Sequence, residues 1–344
     1  MFGFRDIFTE SIGIDLGTVN TLVAVKGSGI ILREPSAVAL STGRKREVVA
    51  VGSEALLMLG RAPGSVYVEH PLKDGVIADY YLAEAMIRHF IDKSLGRRLP
   101  GVSVRAVICV PGCVTDVERR AVESAAKGAG AKEAYLMDEP VAAAMGAGLP
   151  VDDVMGTMIV DIGGGTTDAA VIALGGIVVN GSARAGCRHL DDAIVQFMRR
   201  EYGIAIGSGT AEQIKLALGS AVPGKSGMFE VYGRNLDSGL PKTLIVSASE
   251  IYSAMKKPVA AILSVIRDTL SRTPPELAGD IMERGIVLTG GGALLDGMCD
   301  YIYRETGLSA RAADNALDCV ALGALDAIEN FRVYRDSSKV RSAV

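Results

Sequence analysis

The sequence has no tryptophan, only three histidines, and cysteines that form no recognisable pattern. Its five cysteines are spread over 344 residues without a Cys-x-x-Cys pair, and the histidines share no ligand spacing with them. Structural zinc sites and disulfide frameworks need such spacings. We therefore expect free thiols in a reducing cytoplasm and no metal centre built from cysteine and histidine.

Positive charge is not in excess. The chain carries 36 Lys and Arg against 40 Asp and Glu, which gives a net charge of −4. Proteins that bind nucleic acid usually neutralise its phosphates with a basic surface. The charge balance therefore argues against a nucleic-acid partner.

A long hydrophobic run is also missing. The longest, at residues 169–179, is bounded by Asp168 and Asn180 and falls short of the roughly 18 residues that cross a bilayer. The first ten residues, MFGFRDIFTE, lack the basic start and apolar core of a secretory signal. We expect a cytoplasmic protein that does not cross a membrane.

Strand-like and helix-like segments alternate along the chain, which indicates an α/β class with helices on the faces of a mixed sheet. Residues 80–95 have the apolar spacing of a helix, and a Thr-x-x-Glu capping box opens another over residues 115–130. A helix predicted at residues 247–270 is interrupted at Pro258. At this length we expect two domains.

Two similar turns, IDLGTVNT and VDIGGGTT, follow apolar runs in the two halves of the chain. Asp15 matches Asp161, and at the same offset Gly17 matches Gly163, Asn20 matches Thr166 and Thr21 matches Thr167. Backbone amides of a glycine turn converge on anions, and an aspartate at a strand end suits hydrated Mg²⁺. One such turn is only a tight turn, whereas the repeat predicts two halves that hold a polyphosphate between them.

A third glycine turn, LTGGGALLDG at residues 288–297, joins a strand-like run to a helix-like run. Bare backbone there allows a nucleoside to lie flat against it. Alone, the same turn would also suit a plain strand-to-helix connection.

The stretch GSAVPGKS, Gly219 to Ser226, matches the Walker A pattern letter by letter. That motif works between a buried strand and a helix, whereas here a helix-like run comes first and a strand-like run follows. Pro223 also removes one amide from the phosphate cradle. We interpret the stretch as an exposed loop.

Several stretches taken together carry a family resemblance: GIDLGTVNTLV, VPGCVTDVERRA, DEPVAAAMGAGLPV, VDIGGGTTD, TAEQIKLALG, TPPEL and RGIVLTGGGALLDG. In this order, from residue 12 to about 330, the chain closely resembles the MreB/Mbl family of bacterial actin homologues. The resemblance implies an actin-like fold, a duplicated ribonuclease-H-like α/β fold with ATP and Mg²⁺ in the cleft between two domains.

The resemblance also implies domain limits. An N-terminal amphipathic segment covers residues 1–11, and a C-terminal tail covers residues 331–344. The first domain covers 12–150 with a small subdomain at about 33–72, and the second covers 151–330 with a small subdomain at about 184–245.

The nucleotide site follows from the resemblance residue by residue. The residues expected to bind ATP are Asp15, Gly17, Thr18, Val19, Asn20, Gly163, Gly164, Gly165, Thr166, Glu212, Gln213, Ile214, Lys215, Gly290, Gly291, Gly292, Ala293 and Leu294. The i, i+3 spacing of Glu212 and Lys215 places both on one helix face, toward the adenosine. A surface ion pair would have the same spacing.

Hydrolysis is assigned by the same resemblance. The catalytic set is Glu139, Thr167 and Asp161, in which Glu139 orients the attacking water and Thr167 is a second contact to it. Asp15 and Asp161 would hold Mg²⁺ through water. The alternative for Glu139 is an acidic residue at a helix N-terminus, favoured by the helix dipole.

The first residues resemble the family's N-terminal membrane anchor. Phe2, Phe4, Ile7 and Phe8 would contact the membrane surface, and the many copies in a filament would strengthen a weak anchor. Packing of these rings on the first strand is the alternative. A second candidate contact is Leu99 in the loop at residues 96–101.

One stretch departs from the family pattern. After the second turn relatives usually read Gly-Asp-x-Met-Asp, whereas this chain reads GCRHLDD. Cys187, Arg188 and His189 mark a divergent member or paralogue.

The resemblance implies a cytoskeletal ATPase that polymerises with itself, with paired protofilaments at the inner face of the cell membrane. Such a filament guides cell-wall synthesis in rod-shaped growth together with membrane proteins of cell elongation. One alternative is another actin-like filament, for plasmid segregation or organelle alignment. A second is a small-molecule kinase of the same superfamily, for which no motif supplies a base for a second substrate.

Overall fold

A computed structural model describes residues 9–43, 46–61, 64–96, 102–112, 114–331, 334 and 340–341. The apolar side chains predicted to contact a membrane lie outside these described residues: Phe2, Phe4, Ile7, Phe8 and Leu99. Within the described part, no helix combines the length and hydropathy that crossing a bilayer requires.

The first half of the chain folds into alternating strands and helices. In order they are β1 (Thr9–Leu16), β2 (Asn20–Val25), β3 (Gly29–Pro35), β4 (Val38–Ser41), β5 (Val48–Val51), α1 (Ser53–Met58), β6 (Val66–Glu69), β7 (Leu72–Lys73), β8 (Val76–Ile77), α2 (Tyr80–Leu95), β9 (Ser103–Val110), α3 (Asp116–Gly128), β10 (Glu133–Asp138) and α4 (Glu139–Gly146).

The second half follows the same alternation. In order its elements are β11 (Thr157–Ile162), β12 (Thr167–Ala173), β13 (Gly176–Ala183), α5 (Cys187–Tyr202), β14 (Ile204–Ala205), α6 (Ser208–Leu218), β15 (Met228–Asn235), β16 (Pro241–Ser247), α7 (Ala248–Ser271), α8 (Pro275–Arg284), β17 (Ile286–Thr289), a 3₁₀ turn (Gly291–Leu294), α9 (Met298–Thr306), β18 (Ala310–Ala312), α10 (Cys319–Glu329) and β19 (Val340–Arg341).

Two large sheets repeat one arrangement. The first has the order β19-β10-β9-β1-β2-β3, and the second has the order β13-β12-β11-β17-β18. In each sheet an antiparallel hairpin lies beside a parallel strand, β1–β2 beside β9 and β11–β12 beside β17. The hairpins pair in the same register, Leu16 with Thr21 and Ile162 with Thr167. This topology confirms the internal duplication expected from the sequence.

Two three-stranded sheets accompany the large ones. Strands β4, β5 and β6 lie inside the first predicted small subdomain, and β14, β15 and β16 lie largely inside the second. The domain limits themselves stay a prediction, because α10, near the end of the predicted second domain, contacts β1, β2, β3 and β9 of the first sheet.

Each half has its own hydrophobic cluster, and a further cluster lies between the two large sheets. This shared cluster joins Val107 and Met137 of the first sheet to Ile159 and Ala170 of the second. Helices α4 and α10 supply much of the rest of it. The two halves are therefore joined through one continuous apolar layer.

Glycine allows α4 and α10 to touch backbone to backbone. A Cβ atom on Gly323 would overlap the carbonyl oxygen of Ala142, and a Cβ atom on Gly146 would overlap that of Cys319. Since neither neighbour is the flexible end of a side chain, a larger residue would force the helices apart.

Several local predictions are confirmed. Helix α2 has the predicted bounds, and both hydrogen bonds of the Thr115–Glu118 capping box open α3. The interruption predicted at Pro258 is wrong, because α7 runs from Ala248 to Ser271 with Pro258 inside it. Buried side chains on both sides of the proline, Met255 and Val259, pack the helix on the core of the second half.

Candidate functional site

A cavity of about 1330 Å³ lies between the two halves, where the glycine turns face each other. Most of the residues predicted to bind nucleotide or to act in catalysis line it: Asp15, Gly17, Thr18, Val19, Asn20, Glu139, Asp161, Gly163, Gly164, Thr166, Glu212, Lys215, Gly290, Gly291, Gly292 and Leu294. Its size suits a nucleotide better than a metal ion or a small metabolite.

The first turn, between β1 and β2, is held by buried hydroxyl groups. Ser36 Oγ donates to the carbonyl oxygen of Gly17 at 2.6 Å and lies 2.9 Å from Thr21 Oγ1. Thr18 Oγ1 accepts a bond of 2.9 Å from the amide of Gly75. The turn is thereby fixed at the cleft surface before any ligand arrives.

The second turn, between β11 and β12, lies against the first turn and against helix α5. The amides of Cys187 and Arg188 donate to the carbonyl oxygens of Gly163 and Gly164, at 3.0 and 2.8 Å. A Cβ atom on Gly164 would overlap the side chain of Val19 in the first turn. Glycine is therefore required for the two turns to come this close.

The third turn packs on the end of β11. Gly290 has a φ of 78°, and a Cβ atom on it would overlap the carbonyl oxygen of Ile162. Just before it, Thr289 Oγ1 donates to Asp161 Oδ1 at 2.8 Å. The third turn thus fixes the carboxylate of Asp161 at the cavity wall.

Carboxyl groups collect where the first two turns meet. Glu139 is the first residue of α4, and its side chain is 7% exposed. Burial raises the pKa of Glu139 well above its usual value, and the charges of Asp168, Asp15 and Asp161 raise it further. Burial, with Asp161 and Asp318 nearby, also raises the pKa of Asp15 to about 8. Bringing these groups together favours a bound cation.

The residues expected to face the adenosine divide into two kinds. Lys215 is 8% exposed and its Nζ lies 2.9 Å from the carboxylate of Asp191. Glu212 is exposed and lines the cavity. The surface pair of Glu212 with Lys215, considered from their spacing, is not among the ion pairs of the described residues.

Five predicted residues do not line the cavity: Gly165, Thr167, Gln213, Ile214 and Ala293. Ile214 and Ala293 belong to the hydrophobic core, and Gln213 is exposed. Thr167 is fully buried and its hydroxyl donates to the carbonyl oxygen of Ala185 at 2.6 Å. Because this bond uses the only proton of the hydroxyl, Thr167 could contact the attacking water only as an acceptor.

Other cavity residues were missed by sequence reasoning. His70 carries no sequence signal for this place, Lys225 is visible only in the rejected Walker-like stretch, and Arg188 is visible only as part of the GCRHLDD departure. Lys225 belongs to the Walker-like stretch, which runs from the end of α6 toward β15. The order of helix, loop and strand differs from that of a Walker loop, but the predicted exposure is wrong for part of the stretch, because Ser220 and Ala221 are buried.

The site suits Mg²⁺ only with water and phosphate as further ligands. Asp15 and Asp161 line the cavity, yet no group of three or more His, Cys, Asp or Glu side chains forms a metal cage within the described ranges. Mg²⁺ usually keeps several waters and binds through one or two carboxylates plus substrate phosphates. The donor set fits that mode of binding.

Comparison with known proteins identifies the family of this chain. The family model described as MreB/Mbl protein matches residues 9–336. The chain belongs to the MreB/Mbl family. The resemblance recognised from the motifs is therefore confirmed.

Members of the MreB/Mbl family and its structural neighbours match over almost the whole chain. Cell shape-determining protein MreB of Escherichia coli (strain K12) is 48% identical over 330 residues, 95% of each chain. The crystal structure of MreB 5 of Spiroplasma citri bound to AMPPNP has a TM-score of 0.88 and 36% identity, covering 94% of this chain and 97% of that one.

A more distant neighbour, from the MamK double helical filament, has a TM-score of 0.77 and 23% identity, covering 94% of this chain and 99% of that one. At this identity the likeness concerns the fold alone. Together these matches confirm the actin-like fold expected for this MreB/Mbl family member.

Proposed function

We propose that this chain is an ATP-binding protein that polymerises into filaments and determines cell shape from the cytoplasmic face of the membrane. The observation that carries the proposal is the meeting of two duplicated glycine turns and a third at one cavity with Asp15, Asp161 and Glu139. The cell-shape function named for the Escherichia coli relative and the AMPPNP bound by the Spiroplasma citri relative support it.

The two duplicated turns bind the phosphate chain of ATP. Their backbone amides supply fixed donors to phosphate oxygens, and Thr18 and Thr166 add hydroxyl groups. Asp15 and Asp161 would hold Mg²⁺ through water, and the ion would offset phosphate charge. The third turn and Glu212 accommodate the adenosine, while the Lys215–Asp191 pair holds α6 against α5.

Glu139 orients the water that attacks the terminal phosphate. Its carboxyl group is buried at the cavity wall, and its raised pKa suits a group that accepts a proton as the water attacks. Most of the rate acceleration in phosphoryl transfer comes from positioning and charge. Hydrolysis then ends the ATP state of each subunit in the filament.

Sedimentation and light scattering with ATP and Mg²⁺ test the proposal. We expect polymer with ATP, none with Asp15→Asn or Asp161→Asn, and normal polymer with Asp300→Asn, which removes an exposed carboxylate outside the cavity. Binding of ATP without polymer under any nucleotide, with or without lipid, would contradict the filament function and favour a small-molecule kinase.

Membrane contact through Phe2, Phe4, Ile7 and Phe8 is part of the proposal. Burying one phenylalanine contributes about 1.5–3 kcal/mol, so one chain binds weakly and a filament binds through many copies. Deleting residues 2–8 is expected to abolish pelleting of polymer with anionic liposomes while leaving polymerisation intact. Unchanged pelleting would reject this anchor. Contact with membrane proteins of cell elongation follows from the same location.

A further inference from the structure

Arg188, the second residue of α5, reaches across the cleft from beside the second glycine turn. Its backbone amide donates to the carbonyl oxygen of Gly164 at 2.8 Å, so its side chain starts beside the turn. Its Nη2 atom lies 3.0 Å from Nδ1 of His70, on the first half of the chain. Both side chains line the cavity.

The contact between Arg188 and His70 competes with a second contact for the same ring nitrogen. His70 Nδ1 also lies 2.9 Å from the carbonyl oxygen of Ser36. One ring nitrogen cannot donate a proton to Ser36 and accept one from Arg188 at the same time. Whichever tautomer forms, one of the two contacts is not a hydrogen bond. If an anion bound the guanidinium of Arg188 instead, Nδ1–H of His70 would be free to donate to the carbonyl oxygen of Ser36.

Other cations at the cavity are differently placed. Lys215 is paired with Asp191, and Lys225 donates to the carbonyl oxygen of Gly219 at 3.0 Å and lies 3.6 Å from Asp296. Arg61 lies exposed beyond the end of α1. Among the described cations that line the cavity, Arg188 alone is bonded through its own backbone to a glycine turn of the phosphate site.

Arg188 also lacks a carboxylate partner among the described residues, since no ion pair within 4.0 Å includes it there. Burial lowers the pKa of its guanidinium, while the more distant charges of Asp192 and Asp74 act in the opposite direction. A partly buried guanidinium beside a phosphate cradle is suited to a phosphate oxygen, which its planar fork can bind through two hydrogen bonds.

We propose that Arg188 is a phosphate-binding residue of the nucleotide site, whose guanidinium leaves His70 and donates to the phosphate chain of the bound nucleotide. This inference rests on the proposed nucleotide function.

Calorimetric titration with ADP and with adenosine tests the inference. Arg188→Gln is expected to weaken ADP binding about ten- to a hundredfold, the loss typical of a charge-assisted hydrogen bond, and to change adenosine binding less than about threefold. The matched control is Arg184→Gln, four residues earlier on an exposed side chain that lies 3.8 Å from Asp74 and outside the cavity. It is expected to change neither affinity.

The outcomes distinguish a failure of nucleotide binding from a failure of the Arg188 phosphate contact alone. Failure of the unaltered protein to bind ADP overturns the nucleotide function itself. Normal ADP binding by Arg188→Gln, or an equal loss for ADP and adenosine, overturns the phosphate contact alone. His70→Ala tests the alternative that Arg188 acts only by joining the two sides of the cleft through His70. In that case the loss of ADP affinity would equal that of Arg188→Gln, and the proposal would be overturned. Should Arg188→Gln not fold, Arg188→Lys must show a loss confined to ADP.

Discussion

Glu139 has two explanations at the scale of a single residue, a water-orienting carboxylate and an acidic helix start. Under the first, Glu139→Gln retains ATP binding and slows phosphate release about 10²- to 10⁴-fold, since the amide is a poor proton acceptor. Single-turnover phosphate release after mixing with ATP and Mg²⁺ measures this.

A matched control separates the two explanations. Glu276 also lies in the first turn of a helix beside a proline, in α8, and is exposed away from the cavity. Glu276→Gln is expected to leave hydrolysis unchanged. Equal, small effects of both variants would assign Glu139 to the helix dipole alone.

Asp168 makes folding stability depend on pH. It is 1% exposed, opposite Asp161 in the hairpin, and burial raises its pKa from 3.8 to about 6. Because the folded carboxyl group holds its proton more tightly than the unfolded one, its ionisation destabilises the fold. That cost grows as pH rises from about 4 to about 6 and stays constant above.

Asp168→Asn is therefore expected to raise the free energy of unfolding of the ligand-free protein by about 1–3 kcal/mol at pH 7.5. The gain shrinks at pH 5 and disappears below pH 4, where both states are protonated. Urea unfolding at these pH values checks it, with the exposed Asp300→Asn as control. A gain that is the same at every pH would disprove the assignment.

The sequence predicted those site residues whose signal is local. Asp15 and Asp161 could be found because each sits in a short glycine turn that occurs twice. Arg188 and His70 could not, because their meeting depends on how the two halves lie across the cleft. The burial of Ile214 away from the cavity could not be predicted, because membership of a motif does not say which face of a helix turns to the core.

At the scale of elements, Pro258 shows tertiary packing overriding local propensity. Inside α7 the proline removes one backbone hydrogen bond and crowds the preceding turn, at a typical cost of about 3 kcal/mol. Pro258→Ala is expected to raise the free energy of unfolding by about 1–3 kcal/mol, measured by urea titration at pH 7.5. A loss of stability would show that the helix needs the distortion.

The elements that the sequence predicted well carry their own end signals. Thr115 and Glu118 close a capping box that needs no distant contact, and α2 starts where the Asp79 side chain accepts from the Leu82 amide. The short strand β19 had no such signal. It exists because its backbone pairs with Leu136 and Met137, far away in the sequence.

At the scale of the whole molecule, the α4–α10 contact holds the two halves together. Gly323→Ala places a methyl group on the backbone of Ala142 and is expected to cost about 1–3 kcal/mol or more in urea unfolding. Gly279→Ala is the control, because its Cβ atom meets nothing within 4 Å in the interior of α8. That variant should gain about 0.5–1 kcal/mol, and equal effects of the two would disprove the close contact.

The return of the chain's last described elements to its first sheet also sets an order of events during synthesis. Strands β1, β2 and β9 leave the ribosome early, yet α10, which packs on them, and β19, which pairs with β10, come last. One apolar face of the first sheet therefore stays exposed while the second half is synthesised. Closure of the amino-terminal half therefore requires α10 to be made, and a nascent chain stalled before residue 319 should be readily captured by chaperones.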